Sequence, residues 1–175
     1  MTSFFLMRHG EPDFSDCDQR PGMGSDLAPL TPAGESQVAQ QISKIREFNP
    51  EIVISSPMTR AMQTALILRS ELAVPFKVEF DLHEWQSDLS FKLRTFENFQ
   101  ACQSEYFRMN GEWPAGETRC WEPVSSVRSR ILTVLRKYLI YRRVLVICHG
   151  QVIRSLTGLD TKVDTAGLVR LEMNE

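Results

Sequence analysis

Histidine is scarce in this chain, three in 175 residues, and cysteine is little commoner at four. Cys17, Cys102, Cys120 and Cys148 have neither a CxxC spacing nor the density of a disulfide-stapled secreted domain, so a reducing cytoplasmic setting is expected. His83-Glu84 lacks the HExxH spacing, and with so few histidines neither a metal nor any other cofactor is expected. An excess of one charge is missing too. Twenty Lys and Arg stand against 22 Asp and Glu, for a net charge of −2. That removes the electrostatic case for nucleic acid or an anionic membrane as partner, and leaves any anionic substrate to a local cluster of cations. No apolar run approaches membrane-spanning length, and the apolar start is too short for a signal-peptide core. Internal repeats and low-complexity segments are absent.

What remains is an ordinary globular composition, 42% hydrophobic and 24% charged. At this length, residues 1–175 are expected to form one domain with a substantial core. Phe4–Met7 reads as a short buried strand. Residues 11–30, dense in Pro, Gly, Ser and Asp, read as a long loop. Thr31-Pro32 opens a helix with a cap and a first-turn proline; Val38, Ile42 and Ile45 form its inner face, and Pro50 ends it. Glu51–Ile54 is strand-like, and Ser55-Ser56-Pro57 opens a second helix running toward Leu72. Phe76–Phe80 alternates like a half-exposed strand. Between about 85 and 116 the pattern loosens around a helical stretch at Phe96–Phe107, which suggests an insertion or cap. Val124, Val127, Ile131, Val134 and Leu135 mark an amphipathic helix. Val144–Ile147 is the most β-prone run, and a last strand is expected near Leu168–Met173. Alternating strands and helices predict an α/β fold: a layered sheet with helices on both faces.

Two of the strands end alike. FFLM is followed by Arg8-His9-Gly10, and VLVIC by His149-Gly150. IVISSPMTR places Arg60 in the first turn after a third strand. Ligands of open α/β sheets bind outside the carboxyl ends of the strands, so Arg8, His9, Arg60 and His149 are all directed to one edge. Guanidiniums present forked donors that match phosphate oxygens. A neutral imidazole is a nucleophile at neutral pH. Glu84, just past the Phe76–Phe80 strand, is a candidate proton donor for a leaving alkoxide. Taken singly, each residue would be ordinary: a satisfied structural histidine, a solvated arginine, a surface carboxylate. Their joint placement carries the case.

MRHGEP, DLAPLTPAGESQ, SSPMTRAMQTA, LHEW and CHGQVIR, in that order, resemble the histidine phosphatase superfamily and its phosphoglycerate-mutase-like branch. The resemblance spans Phe4 to about Ser155. It implies a three-layer α/β/α sandwich with a mostly parallel, mixed sheet and no metal. His9 would be the nucleophile that becomes phosphohistidine, Arg8, Arg60 and His149 the phosphate pocket, and Glu84 the proton donor. Two positions depart from the family pattern: Ser15 where an Asn is common, and Gln151 where the second glycine of HGG is usual.

The expected activity is hydrolysis of a small phosphomonoester through phosphohistidine. A mutase, a protein phosphohistidine phosphatase and a phospho-ligand-binding protein without turnover are the alternatives. A further rival rests on Cys148 and Arg154, which have the C-x5-R spacing of cysteine-dependent phosphatases but leave Arg8, His9 and Arg60 unexplained. Seven of the sixteen aromatics fall in residues 85–113. They are expected to form the cap's own core, with an apolar wall for an organic leaving group as a second reading.

Overall fold

The computed structural model describes residues 1–16, 25–92 and 95–174. Five strands form one mixed sheet: β1 (Thr2–Arg8), β2 (Ile52–Ser55), β3 (Phe76–Val78), β4 (Arg143–Cys148) and β5 (Leu168–Met173), in the order β3-β2-β4-β1-β5. All neighbours are parallel except β5, which runs antiparallel to β1 along one edge. The helices are α1 (Pro32–Ala39), α2 (Ile42–Phe48), α3 (Thr59–Arg69), α4 (Phe96–Arg108), α5 (Val124–Arg136) and α6 (Gly150–Thr157).

The period-two alternation of the strands decides which side chains meet which helices. Phe4, Leu6, Ile52, Ile54, Val144, Val146 and Cys148 face one way and pack with Val127, Ile131, Val134 and Leu135 of α5 and Val152 and Ile153 of α6. Met7, Val53, Leu145 and Ile147 face the other way, onto Val38, Ile45, Ala61, Ala65 and Leu68 of α1–α3. Helices therefore cover both faces, as the layered reading requires. Central strands buried on both sides explain the unbroken apolar runs FFLM and VLVI.

Four local expectations need correction. The helix opened by Thr31 is two helices, because Gln41 N–H bonds back to the Val38 carbonyl in a tight three-residue turn that re-aims the chain before α2. The second helix begins at Thr59 rather than beside Ser56, whose hydroxyl instead accepts from Met58 N–H at 3.3 Å. β3 stops at Val78, and a 3₁₀ turn over Phe80–Leu82 buries Leu82 completely. The aromatics of residues 85–113 do not form a separate core: Trp85 and Tyr106 belong to the same cluster as Phe4 and Leu6, with Phe99 and Trp113 packed against it.

Gly10 is required by a close approach rather than by a turn. A Cβ there would stand 2.4 Å from the Gly34 carbonyl oxygen, and one on Gly34 would stand 2.3 Å from that of Glu11. These two glycines let the chain after β1 press onto α1, which holds the residue before Gly10 in place.

Candidate active site

Arg8 ends β1 and pairs with Cys148 at the end of β4, so His9 and His149 follow side by side. The His9 backbone is pinned from both sides, its N–H donating to the Cys148 carbonyl (3.1 Å) and its carbonyl accepting from Ala166 N–H (3.0 Å). Thr64 ties the next residue to α3: its hydroxyl accepts from Gly10 N–H at 3.2 Å and donates to the Arg60 carbonyl at 2.8 Å. The strand-end turn and the first turn of α3 are thereby locked together.

The His9 ring has one consistent tautomer. Nδ1 lies 2.7 Å from the Gly10 carbonyl oxygen, which can only accept, so Nδ1 carries the proton. Nε2 is then the lone-pair nitrogen, and it accepts from Arg60 Nε–H at 3.1 Å. Burial, with the Arg60 and Arg8 cations, brings the His9 pKa down to about 3, against an opposing contribution from the Gly10 bond. At neutral pH the imidazole is uncharged and its lone pair points at a guanidinium.

His149 is fully buried and packs against His9, with ring centroids 5.1 Å apart. Its Nε2 shares a hydrogen bond with the Ser56 hydroxyl (2.7 Å), while Nδ1 is buried without a partner. Burial first, then Arg60 and His9, hold it well below the ordinary imidazole value. The Glu84 carboxylate accepts from Trp85 N–H (2.8 Å) and, across the site, from Gln151 N–H at the start of α6 (3.3 Å). Arg8 spends one Nη1 donor on the Val163 carbonyl (2.8 Å), and its Nε is buried and unpaired.

These residues border a cleft of about 290 Å³, lined by Arg8, His9, Arg60 and Glu84 and by residues of the 85–103 segment. His149 stands behind His9 and is not among the lining residues. Of the two departures from the family pattern, Gln151 lines the cleft and Ser15 does not; Ser15 is exposed, with its N–H on Asp13. Phe14 lines it too, unanticipated from the sequence, and so does Arg154, which the sequence singled out only for the rival cysteine reading. Arg154 could have been found there, since it lies one helical turn beyond Gly150 and so on the same face of α6. Cys148 gives the rival reading no nucleophile: it is completely buried in the core, and burial pushes its thiol up. Among the described residues, no group of three or more His, Cys, Asp or Glu could hold a metal, and no helix is long and apolar enough to cross a membrane.

The buried imidazoles predict an acid-sensitive fold. His9 is neutral in the folded chain down to about pH 3, whereas an unfolded histidine takes up a proton near 6.5. Between those values the unfolded state binds more protons, so stability is lost as pH falls through that window. His149 and His83 are shifted in the same direction. The urea midpoint should drop between pH 7.5 and 5, and His9→Gln should flatten part of that slope. A slope untouched by His9→Gln would show that this imidazole is solvated.

The family model of the histidine phosphatase superfamily (branch 1) matches residues 4–175. The Bacillus subtilis (strain 168) protein named uncharacterized phosphatase PhoE is 27% identical over 176 residues, covering 97% of this chain and 84% of its own length. Among solved structures, a mycobacterial glucosyl-3-phosphoglycerate phosphatase superposes with a TM-score of 0.76 at 19% identity, over 98% of this chain and 90% of that one. A putative alpha-ribazole-5'-P phosphatase from Escherichia coli K-12 gives 0.73 at 19%, over 99% and 91%. These two likenesses show a shared fold, the phosphoglycerate-mutase-like α/β/α sandwich. The strand ends that bring His9 and His149 together are those the family model spans, and this chain belongs to the histidine phosphatase superfamily, branch 1.

Proposed function

We propose that the protein is a phosphomonoester hydrolase that works through a phosphohistidine on His9 and takes a small organic phosphate. The observation that carries this reading is the His9 tautomer, whose Nε2 lone pair is turned toward a cleft flanked by Arg8 and Arg60. In the free protein Arg60 rests on that lone pair. A phosphate dianion is a far better acceptor for a guanidinium than a neutral nitrogen, so substrate binding draws Arg60 onto the phosphoryl oxygens and frees Nε2. Nε2 then attacks phosphorus in line, the P–O bond to the leaving group breaks, and the Glu84 carboxyl gives the departing oxygen its proton. In the second half, Glu84 takes a proton from water as the water oxygen attacks phosphorus and the P–N bond breaks. Arg8 and Arg60 hold the equatorial oxygens throughout, and His149, expected from the sequence in the phosphate pocket, packs behind His9 and backs the nucleophile's ring instead. In this scheme the guanidiniums supply the charge, so activity should persist in excess chelator; loss on chelation with recovery on adding a divalent metal would count against it.

The 85–116 segment acts as a cap that selects the leaving group. Trp85, Phe96 and Phe99 form an apolar wall, and Arg154 is the one further cation among the lining residues described. That suits a monophosphate with a partly apolar organic group better than a polyphosphorylated one. The relatives named for an activity are named as phosphatases, which favours hydrolysis over isomerisation.

The test is the proton donor. An alkoxide needs a proton to leave, whereas p-nitrophenolate does not. Glu84→Gln should lower kcat/KM, which reports the phosphorylation of His9 alone, by roughly 10²-fold or more for an alkyl phosphate while sparing that for p-nitrophenyl phosphate. Equal damage to kcat/KM on both substrates would assign Glu84 to binding or folding.

A further inference from the structure

Glu84 follows the 3₁₀ turn at Phe80–Leu82, and residues 83–88 lie outside every helix and strand. A carboxylic acid that must meet one leaving oxygen cannot be left on a loose chain, because an error of about an ångström in position costs on the order of 10²-fold in rate. The carbonyls around Glu84 are held by one guanidinium, that of Arg130 on α5.

Arg130 has five N–H donors and all five are matched. Nε donates to Glu122 Oε1 at 2.8 Å and Nη2 to Glu122 Oε2 at 3.0 Å, a bidentate pair. Nη1 donates to the carbonyl of Asp81 and to that of His83 (2.8 Å), and the second Nη2 proton goes to the carbonyl of Glu84 itself (3.3 Å). Glu122 closes the ring. Its Oε2 accepts from Gln86 N–H (3.3 Å), its backbone carbonyl from the Trp85 indole N–H (2.7 Å), and its own N–H donates to the Gln86 carbonyl (2.8 Å). The two charged side chains are 13% and 6% exposed. Residues 81–86 are thus gathered round one buried ion pair, with Glu84 at the centre of the gathered segment and its carboxylate projecting toward α6.

We infer that Arg130, held by Glu122, is the positioning residue for the acid: it fixes where the Glu84 carboxyl stands relative to His9. The inference rests on the reading of Glu84 as proton donor. A buried pair of this kind costs desolvation and gives little net stability, so its use here lies in geometry. Lysine cannot replace it, because an ammonium has three donors and no planar fork.

The experiment measures kcat and KM of Arg130→Lys on an alkyl phosphate and on p-nitrophenyl phosphate. Alkyl phosphate kcat/KM, which reports the phosphorylation of His9, should fall ~10-fold to 100-fold, that for p-nitrophenyl phosphate should be largely spared, and Arg130→Lys added to Glu84→Gln should cause no further loss on the alkyl substrate. Equal loss on both substrates, or full additivity with Glu84→Gln, would overturn the assignment. If Arg130→Lys does not fold, the neutral pair Arg130→Gln/Glu122→Gln, which leaves no unpaired buried charge, takes the same test. A pair variant that also fails to fold would make the clamp a folding determinant and overturn a positioning role. Failure of the acid reading itself would show separately, in Glu84→Gln alone.

Discussion

His9→Ala should abolish turnover, and the protein should remain folded. Among the described residues of the cleft, none can replace the lost nitrogen. His149 is the nearest imidazole, but it is fully buried behind His9 with Nε2 engaged by Ser56. Cys148 lies in the core with its thiol pushed up by burial, so almost no thiolate exists at neutral pH. Cys148→Ala should therefore keep its activity. Rapid quenching of the wild type with a labelled substrate should trap a phosphoryl group on the protein, labile in acid and stable in base, as a phosphoramidate is. Residual activity in His9→Ala together with loss in Cys148→Ala would reverse the assignment. The folded state should tolerate His9→Ala because removing a buried neutral imidazole also removes a group whose protonation opposes folding in acid.

The part of this site legible in the sequence was the part built from strand ends. FFLM and VLVI announce strands buried on both faces, and the residues that leave a parallel strand must lie at the carboxyl edge of the sheet. Arg8, His9 and His149 were fixed by that rule, and Arg60 by the turn after β2. Glu84 was placed only approximately, since β3 ends two residues earlier than its alternation suggests and a 3₁₀ turn delivers the segment. Arg130 and Glu122 could not be read at all. In sequence Arg130 is one more arginine on an amphipathic helix, and Glu122 one more glutamate before it. Their meaning comes from a contact spanning 46 residues, between α5 and Glu84, which no local pattern encodes. The helix break at Gln40-Gln41 escaped for the opposite reason: it is so local, one three-residue turn, that neither proline nor glycine marks it.

Arg60→Ala carries two opposed effects, and their sizes decide the outcome. In the free protein Arg60 donates to the nucleophilic lone pair and its charge depresses the His9 pKa. Its removal should therefore unmask Nε2, a gain bounded by one charge-assisted hydrogen bond of about 1.5–3 kcal/mol. Against this stands the loss of a cation on the transferring phosphoryl group, which elsewhere is worth ~10³-fold or more in rate, or roughly 4 kcal/mol. The loss should win, and kcat should fall by roughly 10³-fold, less whatever unmasking returns. Arg60→Lys should recover part of this but not all, because an ammonium cannot make the forked contact. The opposing effect should still be visible on another axis. With the neighbouring cation gone, the His9 pKa should rise from about 3 toward its ordinary value. NMR titration of the His9 ring would show the rise directly, as would an acid limb in the pH–rate profile moved to higher pH. Wild-type kinetics in Arg60→Ala would remove this arginine from the reaction; an unmoved His9 titration would mean that burial and Arg8, without Arg60, set the imidazole's charge.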